Sequence, residues 1–563
     1  MNTLSSASAG NENATAEAQS GNPFFERVYV PNPLVGSISD KLVRERRNVI
    51  LTGNAGDGKT TIAAEIYHSL TGEWMPPLPR VTVKVDDKQL VIVKDMSELT
   101  AADRADVLEQ PAGNSDSNYL VVSNTGTLLE SVRGLTLEGL GETNVESDLL
   151  TALEADDIVP VLRERFLLLN IGRTDSIETA CRVLTRMLAP ENWEVCGACA
   201  QSGDCPLYAN VRLVRESAQP AVERVALVYR RLYEYGVRLT LRQMVGHLAY
   251  ALTAGRCCAE LQKKSSTALQ TVRMGSLFFN RFFGTDGSER LLPEAMQLYP
   301  VVKIREADFG VILDPYIERG LWGDGAHFAM AESARGILRR LREQTERPSH
   351  AARRQARRLL FFFGALDDEA GRAYLSCFLR SPMLLKYLEF TREGAEIPAL
   401  IEQRYRGRIL QVLQEHWAAV RLPEGEWEPT DRLYITLSRR PQGSRTQVVM
   451  ASFAGEDFRL AVEPGHRSVP GSRGKLALEW RGGEARLPLE LPFLDYVVRR
   501  SEGEVAAQLS AFYVHRLERL KARLLSTSGN TDRDCLQLVR IGADRRLLPV
   551  RVHFFGNHLE VLR

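Results

Sequence analysis

The chain has 563 residues, of which 44% are apolar and 25% charged, an ordinary globular composition that excludes wholesale disorder, a collagen-like repeat and a coiled-coil rod. Lys plus Arg number 72 and Asp plus Glu 71, so the formal net charge is +1 and no global field draws polyanions; contact with nucleic acid needs a local patch. At roughly 100 to 200 residues per domain, this length corresponds to about three or four folding units.

In chain order, residues 1–22 are small and polar with no hydrophobic period, and read as a flexible tail that buries too little to offset the entropy of ordering. Residues 48–52 form a short apolar run that meets a glycine-rich turn and then a helical stretch at 60–70. Three more apolar runs, 90–93, 119–122 and 166–169, each end in a polar residue as buried parallel strands do. Residues 23–175 therefore read as an α/β core, doubly wound around a parallel sheet. The period then becomes helical, at 222–235, 241–252, 331–342, 351–363 and 401–420. We divide this part into a lid, 176–300, and an arginine-rich region, 301–428. From 429 to 563 the segments LYITLS, TQVVMASF, FRLAVE, KLALEW and ARLPLEL, separated by Gly, Pro and Ser, predict a β-rich domain interrupted by one helix at about 504–525.

Gly53-Asn54-Ala55-Gly56-Asp57-Gly58-Lys59-Thr60 fits G-x-x-x-x-G-K-[ST] and lies between a predicted strand and a predicted helix. The glycines let successive backbone N–H groups turn inward around phosphates, and the helix start adds partial positive charge. Lys59 is expected to reach the outer phosphates and Thr60 to ligate magnesium, with Thr61 completing an ATP-binding set. Leu90-Val91-Ile92-Val93-Lys94-Asp95 is an apolar strand with a carboxylate just past its end, so Asp95 is the expected second magnesium-side ligand. Glu98 is a candidate general base, and Asn124, closing the next strand, a candidate for orienting water on the γ-phosphate. Arg242, at the start of a helix in the lid, is the expected reporter of nucleotide state. Arg173 or Arg165 is expected to act in trans within a homo-oligomer.

These pieces resemble an AAA+ ATPase core with its lid. The strings GNAGDGKT, VIVKDMSEL, YLVVSNTGTLL, CGACAQSGDCPLYAN and RLTLRQMVGHLAYALTAG further resemble the DptF-type ATPase of DNA phosphorothioation-dependent restriction systems and related anti-phage ATPases, over roughly residues 48–360. The resemblance implies ATP-driven action, with partner subunits of a defence complex, on DNA that lacks the mark. Thr125 and Thr127 depart from the more polar or acidic residues expected after the sensor Asn.

Cys196-x2-Cys199-x5-Cys205, with Gly197 and Gly203 between, has spacing suited to a structural zinc. A fourth thiolate is needed, from Cys258, Cys257 or Cys181; the first two are favoured because Cys181 sits in an apparent helix among apolar neighbours. Eight cysteines are too few for a disulfide scaffold, and an iron–sulfur cluster is the lesser alternative. Between Arg335 and Arg358 nine arginines face two glutamates, Glu343 and Glu346, a net +7 over 24 residues. On a helix Arg353, Arg354, Arg357 and Arg358 form i, i+4 pairs that read as a DNA-phosphate face, or else as a solvated surface. His247, isolated among apolar residues, reads as a packing residue. No apolar run approaches the roughly 18 to 20 residues of a membrane span, and the start lacks a basic segment leading into an apolar core, so the expected location is cytoplasmic.

Overall fold

The computed structural model describes residues 25–109, 117–133, 142–310, 322, 329–343, 349–418, 432–437, 446–465, 469, 471–504, 508–527, 535–542, 546–555 and 558–562. The tail expected at 1–22 lies outside them. Two compact units emerge: Met1–Arg380 with His466–Ser472, and Ser381–Gly465 with Arg473–Arg563.

The first unit is built around β1 (Asn48–Gly53), buried at all six positions. Side chains alternate across a strand, so a strand buried throughout needs a layer on each face. Val49 and Leu51 pack with Ile62, Ala63 and Ile66 of α1 (Lys59–Thr71), while Ile50 packs with Val107, Leu128 and Leu149 on the opposite side. At about 1.5–3 kcal/mol for each fully buried Val, Leu or Ile, these two layers dominate the stability of the core.

The sheet runs β2-β3-β4-β1-β6-β5, with β2 at Arg80–Val85, β3 at Lys88–Val93, β4 at Ser117–Asn124, β5 at Val159–Val161 and β6 at Phe166–Asn170. The four central strands are parallel, as expected, but β2 and β5 are antiparallel to their neighbours, which corrects the all-parallel reading. Their links are the reason. Only Asp86 and Asp87 join β2 to β3, and residues 162–165 join β5 to β6 with positive φ at Leu162, Arg163 and Glu164. Such short links serve antiparallel strands, whereas parallel neighbours need a crossover of a dozen residues or more. Register brings Gly53 opposite Asn124, and Thr52 opposite Asn170, so the carboxyl ends of β4, β1 and β6 form one rim.

The helical expectations hold with small shifts of boundary. The observed helices are α2 (Ala218–Glu234), α3 (Leu241–Thr253), α4 (Glu332–Glu343) and α5 (His350–Phe363) of the first unit, and α6 (Ala399–Ala418) of the second. Phe278, Phe282, Phe361, Phe362 and Phe378 are fully buried in this part of the first unit, and Phe361 stacks on Phe378 at 4.1 Å.

The second unit holds a three-stranded sheet, β11-β10-β9, and a five-stranded one, β14-β13-β12-β8-β7, with β7 at Arg432–Thr436, β8 at Thr446–Ala454, β9 at Phe458–Glu463, β10 at Lys475–Trp480, β11 at Ala485–Pro488, β12 at Cys535–Ile541, β13 at Leu547–Phe555 and β14 at His558–Leu562. The expected helix appears at Ala511–Thr527. A second, Leu491–Ser501, is absent from the sequence reading because Pro492 resembles a breaker; in the first turn a proline costs no hydrogen bond. Asp495 on that helix is buried, its carboxylate accepting the Ser381 hydroxyl (2.5 Å) and the Met383 N–H (2.8 Å). Among the described residues no helix is long and apolar enough to cross a membrane.

Candidate functional site

The rim of the sheet is where chemistry-bearing residues meet. Between β1 and α1 the chain carries positive φ at Gly53 (146°), Gly56 (87°) and Gly58 (90°), backbone that other residues adopt at a cost. A Cβ on Gly53 would lie 2.9 Å from both Asp57 Oδ2 and the Gly172 amide nitrogen, so side chain and backbone close in on this glycine. The loop thus wraps the amino end of a thirteen-residue helix.

Lys59 lies inside that wrap. Its Nζ donates to the carbonyls of Gly53 (2.9 Å) and Asn54 (2.7 Å) and to Asn124 Oδ1 (3.0 Å). Burial pushes the Lys59 pKa below its ordinary value; the charges of Asp57 and Asp95 oppose that shift and Arg238 reinforces it. Asp95, half-buried past the end of β3, is thus within electrostatic range of Lys59 although β4 lies between their strands. Asp95 Oδ1 accepts the Ser97 N–H at 2.9 Å, capping a short turn. Glu98 is exposed on that turn and is not among the charges that act on Lys59. Thr60 and Thr61, on the first turn of α1, are partly exposed. A hydroxyl and a carboxylate fit a magnesium ion that takes its other ligands from water and phosphate.

The start of α3 docks on this loop. Thr240 and Gln243 form a capping box, and the Arg242 N–H approaches the Gly56 carbonyl at 3.4 Å. The structure therefore brings the Arg242 backbone to the loop.

Arg238 is the residue that sequence reasoning missed. Its Nη2 donates to the Ile171 carbonyl (2.9 Å) and lies 3.1 Å from Asp57 Oδ1. Asp57 is 2% exposed, and its Oδ2 accepts the Asn54 N–H at 2.7 Å. Oδ1 lacks a well-directed hydrogen bond, so its contact with Arg238 is an ion pair. A buried carboxylate at Asp57 calls for a cation, but the sequence alone does not say which.

Comparisons with protein-family models, with curated proteins and with solved structures find no match.

Arg173 lies past the end of β6, near the loop, and its Nε donates to Asp156 Oδ1 at 2.8 Å. Arg165 precedes β6 at the opposite end of the sheet, where its Nη1 donates to the Glu109 carbonyl. His247 is fully buried on α3. Its Nε2–H donates to the Phe282 carbonyl (2.9 Å) and its Nδ1 lies 2.7 Å from the Tyr229 hydroxyl, which donates to it in the neutral ring that burial favours by pushing the pKa down to about 4. Both nitrogens are satisfied, in keeping with a packing role.

The arginine face does not survive intact. Arg353 is exposed, Arg354 half-buried, and Arg357 Nη1 donates to the Gly310 carbonyl (3.0 Å). Arg358 is buried; its Nη1 donates to Thr285 Oγ1 (2.8 Å) and its guanidinium lies over the Phe283 ring at 4.4 Å. Burial lowers its pKa to about 9. Arg358 is therefore withdrawn from any phosphate-binding face, because RRLLFFF turns its apolar side, and Arg358 with it, into the aromatic core. Arg335 and Arg339 pair with Glu332, just outside the stretch counted in the sequence.

Of the cysteines, Cys181 is buried, with its pKa pushed up to about 12 by desolvation. Cys196, Cys199 and Cys205 are half-buried, and Cys257 and Cys258 exposed. Among the described residues no group of three or more His, Cys, Asp or Glu stands at metal-ligand geometry.

Proposed function

We propose that the chain binds magnesium–ATP in the loop Gly53–Thr60 and hydrolyses it. The observation that carries the reading is Lys59: a buried ammonium held by two loop carbonyls and Asn124, where three positive-φ glycines meet a helix N-terminus. A buried cation with no directly bonded carboxylate is suited to an anionic ligand, and a triphosphate is the anion that such a loop cradles. On binding, Lys59 exchanges Asn124 for phosphate oxygens, and the freed amide turns to the attacking water. Thr60 and Asp95 would hold magnesium, which supplies charge neutralisation on the phosphates. Arg242, at the loop from the start of α3, would pass nucleotide state to the helical region.

The resemblance to DptF-type ATPases extends this proposal to a motor or switch serving a DNA-directed defence complex. The burial of Arg358 favours a second reading, in which the ATPase signals to partner subunits without gripping DNA itself. Both are tested by measuring nucleotide binding and phosphate release by the purified chain, with and without DNA, against Lys59→Ala. Loss of turnover in the variant supports the site, and stimulation by DNA selects the first reading. A wild-type chain with no affinity for ATP at any magnesium concentration would overturn both.

A further inference from the structure

The coil of residues 194–205 has no part in nucleotide chemistry, yet it is tightly turned. The Cys199 N–H donates to the Cys196 carbonyl (3.3 Å), that of Ser202 to the Cys199 carbonyl (2.9 Å), and that of Cys205 to the Gln201 carbonyl (2.8 Å). Cys205 then occupies the position just before the helix Pro206–Glu216. The coil is fastened to a second segment 60 residues further along. Gln201 Nε2 reaches the carbonyls of Gln262 (3.5 Å) and Lys264 (3.4 Å), and Cys205 packs on Leu207, Leu261 and Leu269. Leu261 belongs to the single-turn helix that Cys258 opens, so these contacts carry Cys258 to the coil.

Burial contributes little to holding the coil; its ties are polar, with Asp204 accepting from Ser266 and Gln270 and the Gly203 carbonyl from Arg273. Its residues Gly197 to Asp204 are small or polar, and Val195 is 86% exposed. The three leucines beneath it make a very small core. Polar coils of this kind are held by cross-links rather than by burial.

We propose that Cys196, Cys199, Cys205 and Cys258 bind one zinc ion, which staples the 194–205 coil to the 258–264 turn. Four thiolates form the closed tetrahedral shell of a structural site, and each thiol releases its proton on binding. The side chains must draw in, since zinc–sulfur bonds are about 2.3 Å. Cys181 is excluded, being buried in the helix Ile177–Met187 with its thiol directed at the Val222 carbonyl. Cys257 precedes the single-turn helix and remains outside the shell.

The test is elemental analysis of the full chain purified under reducing conditions without chelator, together with cobalt exchange. About one zinc per chain is expected. Cobalt should give the thiolate charge-transfer and visible bands of a tetrahedral sulfur site. Cys258→Ser should lose the metal, while Cys257→Ser and Cys181→Ser keep it. A metal-free wild-type chain in which all these thiols react freely, or a cobalt spectrum without thiolate bands, would overturn the proposal whether or not the variants fold. Retention in Cys258→Ser with loss in Cys257→Ser would overturn the ligand set. Iron in place of zinc would overturn the assignment of the metal. None of these outcomes depends on nucleotide.

Discussion

The pair Asp57–Arg238 makes the sharpest test of how the loop is held. Replacing Arg238 with alanine leaves a carboxylate, only 1% exposed at its side chain, without its cation, whereas Arg238 itself is 25% exposed. Breaking a fully buried pair costs about 3–5 kcal/mol. Because water can reach part of the vacated space and Asp57 keeps the Asn54 N–H, about 2 kcal/mol is expected here. If that cost falls on the loop, affinity for ATP drops by roughly tenfold or more, at 1.4 kcal/mol per decade. Asp57→Asn added to Arg238→Ala removes the orphaned charge and retains an acceptor for Asn54, so it should recover more than half of the loss. The assay is a double-mutant cycle in chemical denaturation, with nucleotide titration alongside. Strictly additive effects, within about 0.5 kcal/mol, would falsify the coupling.

Three further outcomes follow from the same contacts. Asn124→Ala removes an acceptor from Lys59, and should lower kcat for ATP by about 10²-fold, as loss of a group that positions the reacting atoms does, with a smaller change in KM; stopped-time phosphate release reads both. His247 has its pKa lowered from 6.5 to about 4 by burial, so the unfolded chain takes up a proton that the folded chain refuses. Its contribution is complete above pH 6.5 and is lost as pH falls toward about 4, worth about 3 kcal/mol, and His247→Leu should flatten that part of a denaturation–pH profile. Arg358→Met ends the burial of a cation and should leave the melting temperature unchanged or raised, whereas the exposed Arg353→Ala is the variant to alter any DNA affinity.

How much of this was legible depends on the range of the interaction. The strand β1, the loop and α1 are local: an apolar run, three glycines and a helical period lie within about two dozen residues, and each implies the next. The antiparallel edges were less visible because β2 alternates, with only Val81 and Val83 buried toward the core, and β5 is three residues long. Arg238 was invisible for another reason. Its partner Asp57 lies 181 positions earlier, and nothing local in VRLTLR separates an arginine that grips the loop from one facing water. Arg358 failed oppositely: its i, i+4 spacing with Arg354 was real, but a helix turns through all its faces, and the phenylalanines after it claimed that one. For the cysteines, spacing supplied three members and the sequence favoured Cys258 or Cys257 as the fourth; the tertiary contacts of Gln201 and Leu261 support Cys258.

The docking of α3 has a mechanical consequence. The helix is tied to the loop at its first turn through Gly56, and one turn later it is pinned by His247 between Tyr229 and Phe282. Beyond each end stands left-handed backbone, Gly236 before it and Ala254 with Gly255 after it. A displacement at the loop would therefore bear first on the start of α3, and through His247 on Tyr229 and Phe282.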